Sequence, residues 1–232
     1  MRINQIALLS LCLSLAACTT DHFPKDDYSI PNDQIQAFSG SPDDLYQKGY
    51  NYANGNGVAR DQALAVQYYI QAAQMGSAKA QYALGYVYRT GAGGTNVNYD
   101  TSSHWYERAA NQGNADAENS LGVRYLLGQG TPQDFSLALS WFQKSAAQGN
   151  MYAANELGFM YAAGKGTPQD YSTALQWYTK AATQGLASAQ YNLGLMYLNG
   201  MGTTADKTQA KTWLQKSSAQ GFVPARRALT TL

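Results

Sequence analysis

In 232 residues only two histidines occur, His22 and His104, and only two cysteines, Cys12 and Cys18, so the places where this chain could do chemistry are few. Ser102-Ser103-His104 sets two hydroxyls beside an imidazole, the side-chain types of a nucleophile and its base. On a helix, however, consecutive residues project about 100° apart, and no carboxylate stands in register to orient the ring. Capping or surface roles are expected there instead. Gly91-Ala92-Gly93-Gly94 lacks the Gly-Lys-Ser/Thr that completes a phosphate-binding loop. No cluster of His, Cys and carboxylates has metal-ligand spacing. Asp61, Asp134, Asp170 and Asp206, at spacings of 73, 36 and 36, read as helix caps or loop ties, not catalytic pairs. The expectation is a protein that is no enzyme and needs no metal or cofactor.

The remaining chemistry is at the N-terminus. Met1-Arg2 opens a short positive segment and Ile6 to Ala17 is an apolar run of twelve residues, short of the roughly 20 a membrane span needs but suited to a signal-peptide core. It ends in Leu15-Ala16-Ala17-Cys18, which resembles the lipobox of bacterial lipoproteins. That resemblance implies cleavage after residue 17 and acylation of Cys18. Thr19 in the next position, where Asp would favour retention at the inner membrane, implies the outer membrane, with the protein facing the periplasm. Residues 1–17 are then a signal peptide and 18–42 a flexible tether, broken by Pro24, Pro31 and Pro42 and poor in core-forming residues. Only Gln34 to Phe38 could form a helical turn within it. As a coil, the tether would hold the folded domain roughly 25–30 Å from the membrane. With Arg2 removed from the 16 basic residues, the mature chain carries 15 basic against 15 acidic side chains. That balance argues against nucleic acid as a partner, since such affinity comes from neutralised phosphates.

Along the chain, glycine recurs at Gly49, Gly85, Gly122, Gly158 and Gly194, at spacings of 36, 37, 36 and 36. Second and third series run through Gly55 to Gly200 and Gly76 to Gly221, and together they place one extra residue between Gly93 and Asn98. Repetition at this period marks a stacked array of supersecondary units. Each unit reads as two helices. In the fifth, Ala189, Leu193, Met196 and Tyr197 fall on one helical face, and Asn199-Gly200-Met201-Gly202 ends the first helix. The mid-helix glycines, each costing about 1 kcal/mol relative to alanine, predict a neighbouring helix whose backbone passes too close for a β-carbon. Facing small pairs such as Ala72-Ala73 and Ser145-Ala146 fit that closeness, and aromatic pairs such as Trp177-Tyr178 supply bulk between units. One unit cannot bury its own apolar faces, so stability must come from stacking. Residues 223–232, with Arg226 and Arg227 replacing apolar neighbours, read as a polar capping helix.

The phrase Ala-x-Ala-Gln-Tyr-x-Leu-Gly-x-x-Tyr-x-x-Gly-x-Gly, followed by Ala-x-x-Trp-Tyr-x-x-Ala-Ala-x-x-Gly, resembles the Sel1-like repeat. Five copies cover residues 43–222, as 43–77, 78–114, 115–150, 151–186 and 187–222. The second departs most, with Ser102 in place of an alanine and Gly94 lengthening its loop. The resemblance implies an all-α fold: an α/α solenoid related to tetratricopeptide arrays, whose concave face is lined by the first helices and which serves as an adaptor or scaffold. Some relatives act in envelope assembly and some as immunity proteins. A cysteine-rich branch is linked to β-lactams, but no repeat here contains cysteine, so that link is not carried over.

On that analogy the inward positions are Tyr46, Tyr50, Lys79, Tyr82, Tyr86, Arg89, Asn119, Tyr152, Asn155, Phe159 and Tyr191. Two ladders emerge. Tyr46, Tyr82, Asn119, Asn155 and Tyr191 form one, in which Tyr46, Tyr82 and Asn155 are assigned to the recognition surface. Tyr50, Tyr86, Val123, Phe159 and Leu195 form the other, open between surface and inter-repeat packing. Tyrosine offers contact area with a polar tip at low entropic cost, and asparagine can bond an extended backbone from both ends of its amide. The expected function is therefore a lipid-anchored scaffold that captures an envelope protein or peptide segment. A second reading is an immunity protein against a toxin delivered to the periplasm, and a third a β-lactam or cell-wall hydrolase.

Overall fold

The computed structural model describes residues 38–230 and 232. The expected signal peptide, Cys18 and the expected tether as far as Ala37 lie outside the described residues. Among these, eleven α-helices and no strands follow one another in pairs. They are α1 (Pro42–Asn54) with α2 (Gln62–Gln74), α3 (Ala78–Thr90) with α4 (Tyr99–Ala110), and α5 (Ala115–Leu127) with α6 (Phe135–Ala147). Then come α7 (Met151–Ala163) with α8 (Tyr171–Thr183), α9 (Ala187–Asn199) with α10 (Lys207–Ala219), and the closing α11 (Val223–Leu229). Each first helix packs on the second helix of its own unit and on that of the unit before, so the interior is continuous along the stack. The fold is an all-α solenoid.

The same local devices recur in each unit. First helices stop at a left-handed glycine, with Gly164 at φ 67° and ψ 35°, a conformation that costs glycine little. Second helices start at Asp61, Asn98, Asp134, Asp170 or Asp206, whose side chains accept a backbone N–H of the first turn. The backbone N–H of each of these five caps donates to the carbonyl of a tyrosine in the first helix: Tyr52, Tyr88, Tyr125, Tyr161 and Tyr197, at 2.8–3.0 Å. The recurring aspartates are thus helix caps that also tie the turn. The additional residue of the second unit is absorbed by a 3-10 turn at Ala92–Gly94.

The mid-helix glycines have a different cause from the one expected. A β-carbon on Gly49, Gly122 or Gly158 would stand 2.8, 2.7 and 2.6 Å from the rings of Tyr69, Phe142 and Tyr178; on Gly85 it would enter the ring of Tyr106, and on Gly194 it would meet Leu214 at 2.8 Å. In every unit the nearest atom belongs to a side chain, not to the passing backbone. The second member of each aromatic pair is a buried knob and the glycine is its socket. The first member stays nearer the surface in the last three units, where Trp141, Trp177 and Trp213 are half-buried under the ammonium groups of Lys144, Lys180 and Lys216 at 4.0, 5.1 and 4.3 Å, a favourable cation–π arrangement.

Close helix approach occurs instead at the small pairs. Ser145 and Ser217, fully buried, donate to the carbonyls of Ala115 and Ala187 at 2.6 Å. Ser102 serves likewise, donating to Gly85 O at 2.7 Å, while Ser103 donates to Gln129 O at 3.2 Å. The two hydroxyls of the Ser102-Ser103-His104 run therefore act as structural donors.

The array begins earlier than the sequence suggested. Phe38, assigned to the tether, stacks on Tyr68 with ring centroids 3.9 Å apart. Its N–H donates to Gln71 Oε1 at 2.9 Å, and its carbonyl accepts from Gln71 Nε2 at 2.7 Å. Phe38 thereby covers one face of Tyr68 in the first unit. At the other end Ala225 is buried while Arg226 and Arg227 are exposed, giving α11 a polar outer side.

Candidate protein-binding face

The first helices stand beside one another and their side chains interlock across unit boundaries. Lys79 Nζ lies 6.0 Å from the ring centre of Tyr46. Asn192 Nδ2 donates to Asn155 Oδ1 at 3.2 Å, tying α9 to α7. Along this face the first ladder is more enclosed than its assignment to the recognition surface implied, and the second, left open by the sequence, holds the more exposed aromatics. Tyr46 is half-buried, 5.8 Å from the ring of Tyr69. Tyr82 packs 5.7 Å from Tyr106, and burial pushes its phenol up to about 12. Asn155 is held between Asn192 and Glu156, and Tyr191 packs 5.5 Å from Phe222. These residues bind the array together.

The row left open is the one that faces outward. Tyr50, Tyr86 and Phe159 are 43%, 47% and 37% exposed, and Tyr152 is 53% exposed. Exposed aromatics in register are unlike the singly scattered apolar residues of an ordinary surface. Arg89 stacks over Tyr86 at 4.8 Å and Lys165 over Phe159 at 5.2 Å.

Two concavities open on the N-terminal half of this face. The larger, about 410 Å³, lies between the first and second units and is bordered by Tyr46, Tyr50, Tyr69, Tyr82, Tyr86 and Arg60. The smaller, about 230 Å³, lies between the second and third units. It joins Tyr82, Tyr86, Arg89 and Asn119, all anticipated from sequence, with Tyr106, Ser120, Val123 and Arg124. Arg124 was not anticipated. The register held a signal for it: the equivalent positions in the second, fourth and fifth units are Val87, Met160 and Met196, all buried apolar residues.

A family profile of the Sel1 repeat matches residues 42–77, 78–114, 115–150, 152–186 and 187–222. The chain belongs to the Sel1 repeat family. Among solved structures, a Sel1 repeat protein from Oxalobacter formigenes is 33% identical, with a TM-score of 0.78 over 82% of this chain and 75% of that one. A protective antigen of uropathogenic Escherichia coli with an SLR fold is 38% identical, with a TM-score of 0.73 over 79% of this chain. This chain spans only 39% of that antigen's length. An immunity protein from Pseudomonas aeruginosa, 24% identical with a TM-score of 0.52 over 83% of this chain and 71% of its own, shares the fold. No curated protein matches the chain in sequence. What this Sel1 array presents on its first helices is a set of side chains that the stack leaves uncovered.

Proposed function

We propose that this Sel1 array holds a segment of another protein along the row of first helices. On this reading it is displayed from lipidated Cys18 at the bacterial outer membrane, facing the periplasm. The observation that carries the reading is the exposed aromatic row of Tyr50, Tyr86 and Phe159, with Tyr152 beside it. Rigid aromatic side chains presented by fixed helices give large contact area at little entropic cost. The lipid anchor is supported by Leu15-Ala16-Ala17-Cys18 at the end of a short apolar run. Ser102 and Ser103, the hydroxyls beside His104 in the sequence, donate to backbone carbonyls.

The test is affinity capture from envelope extracts with wild type, Tyr50→Ala/Tyr86→Ala and Tyr152→Ala/Phe159→Ala. One protein should be recovered by wild type and lost from both double variants, whose thermal unfolding should stay close to wild type because the side chains removed are exposed. Equal recovery by all three would overturn the reading. Recovery of a secreted toxin as that protein would turn it toward immunity. Separately, Cys18→Ala should move the protein from the membrane fraction to the soluble periplasmic fraction and abolish incorporation of labelled palmitate.

A further inference from the structure

The smaller concavity holds a charge that the fold leaves unanswered. Arg124 is 6% exposed, and its Nε and Nη1 have no hydrogen-bond partner. Its guanidinium lies 5.3 Å from the ring of Tyr99, and the charged group that bears on it is a second cation, Arg89. Burial and that like charge both pull the Arg124 pKa below the usual arginine value, with the phenols of Tyr106 and Tyr99 opposing. The residues around the concavity include no carboxylate. Asp116 is near enough to act on Tyr82 but is engaged by Asn150 Nδ2 at 2.9 Å. Buried charges are ordinarily paired, since an unpaired one forfeits its hydration for nothing in return.

Neither arginine is demanded by the repeat. Where the second unit has Arg89, the others have Ala53, Leu126, Ala162 and Leu198; where the third has Arg124, the second, fourth and fifth have Val87, Met160 and Met196. The array packs without these charges elsewhere. One more atom in the same place is unpartnered: Asn119 Oδ1, buried and accepting from nothing. Two guanidiniums beside a free acceptor match a ligand that carries an anionic group and an N–H donor together. A peptide residue with a side-chain carboxylate has both.

We propose that the pocket formed by Tyr82, Tyr86, Arg89, Asn119 and Arg124 receives an aspartate or glutamate side chain of the bound protein segment, the carboxylate lying on the two guanidiniums and the adjacent backbone N–H on Asn119 Oδ1. This deepens the protein-binding reading and rests on it. It also sets what the partner must carry: an acidic residue at the place where it crosses from the second unit to the third.

The test titrates the purified whole protein with N-acetyl-glutamate methylamide while following the arginine Nε–Hε signals by NMR. The signals of Arg89 and Arg124 should shift saturably, and the glutamine counterpart should bind at least about tenfold more weakly, as loss of a charge-assisted pair requires. Arg124→Met, which installs the residue found at Met160 and Met196, should abolish the shift at Arg89 and raise the melting temperature, because it removes an unpaired buried charge. Equal binding of the glutamine compound, tighter binding of inorganic phosphate at the same signals, or absence of any shift would overturn the assignment. So would a large drop in melting temperature for Arg124→Met, which would make the residue structural. The titration needs no partner, so its outcome is separate from capture: a shift without a captured protein leaves the pocket and removes the scaffold, and capture without a shift does the reverse.

Discussion

The ring of Tyr178 occupies the space that a β-carbon on Gly158 would need, its Cδ1 lying 2.6 Å from that point. The same knob and socket join Gly49 to Tyr69 and Gly122 to Phe142, twenty residues apart in each case. Glycine is unfavourable in a helix by about 1 kcal/mol, and here it is offset by seating a buried aromatic ring directly on the backbone. The pairing sets the distance between the two helices of a unit, and so the spacing of the whole face that carries the aromatic row.

Gly158→Ala should therefore destabilise the array although alanine is the better helix former. Overpacking of this kind costs about 1–3 kcal/mol, against about 1 kcal/mol gained in helix propensity. In a Tyr178→Ala background the same substitution should cost little or be favourable. A double-mutant cycle by chemical denaturation measures the coupling; additive effects would show that ring and glycine are independent.

Within the aromatic pair the smaller residue should matter more. Tyr178 is buried on the glycine, whereas Trp177 is half-buried beneath Lys180. Tyr178→Ala should cost about 3–5 kcal/mol, the range for emptying a buried aromatic site, and Trp177→Ala roughly half as much. Thermal unfolding of the two variants compares them directly, and a larger loss for Trp177 would contradict the assignment of knob and flank.

Glu118 stands buried where the second and fifth units have Gln81 and Gln190. Gln148 donates to its carboxylate at 2.8 Å, as Gln112 and Gln220 donate to those glutamines. Burial pushes the Glu118 pKa up, with the Gln148 bond opposing. A carboxyl whose pKa is raised on folding stabilises the fold below its unfolded value, near 4.3, and loses that contribution as pH rises through the folded value. Glu118→Gln should accordingly raise the melting temperature at pH 7 and change it little at pH 4. Melting curves at the two pH values check this; an equal gain at both would mean that charge is not the cause.

Phe38→Ala should loosen the beginning of the array and leave its far end alone. Contacts in a stacked array pass only between neighbours, and Phe38 covers Tyr68 of the first unit. Hydrogen exchange should quicken in α1 and α2 while amides of α8 to α10 keep their protection. Gln71→Ala, which removes both bonds to the Phe38 backbone, should act in the same place and direction. Uniform acceleration throughout the chain would show that the units unfold together.

The five units, their helices and their stops could all be read before any coordinates, because a repeat states each local rule five times. Glycine placed Gly164 and Gly200 at helix ends, and recurrent aspartate placed Asp134 and Asp170 at helix starts, each through interactions within a few residues. Tyr82, Tyr86, Arg89 and Asn119, picked out by register, border one concavity. Which ladder would be exposed was not legible. Tyr46 and Tyr50 differ by one helical turn, and only the position of Tyr69 in the next helix makes the first a packing residue and the second a surface one.

Sequence by itself determined the period, the two-helix unit and the departures from it, since those are properties of one chain segment compared with another. Tertiary structure alone decided which atoms fill the glycine sockets, and that Arg124 is buried with Nε and Nη1 unpartnered. Both depend on where side chains from helices far apart in the chain converge: Tyr178 meets Gly158 and Arg124 shares a pocket with Arg89 because stacking brings them there, at distances in sequence that no local propensity can encode.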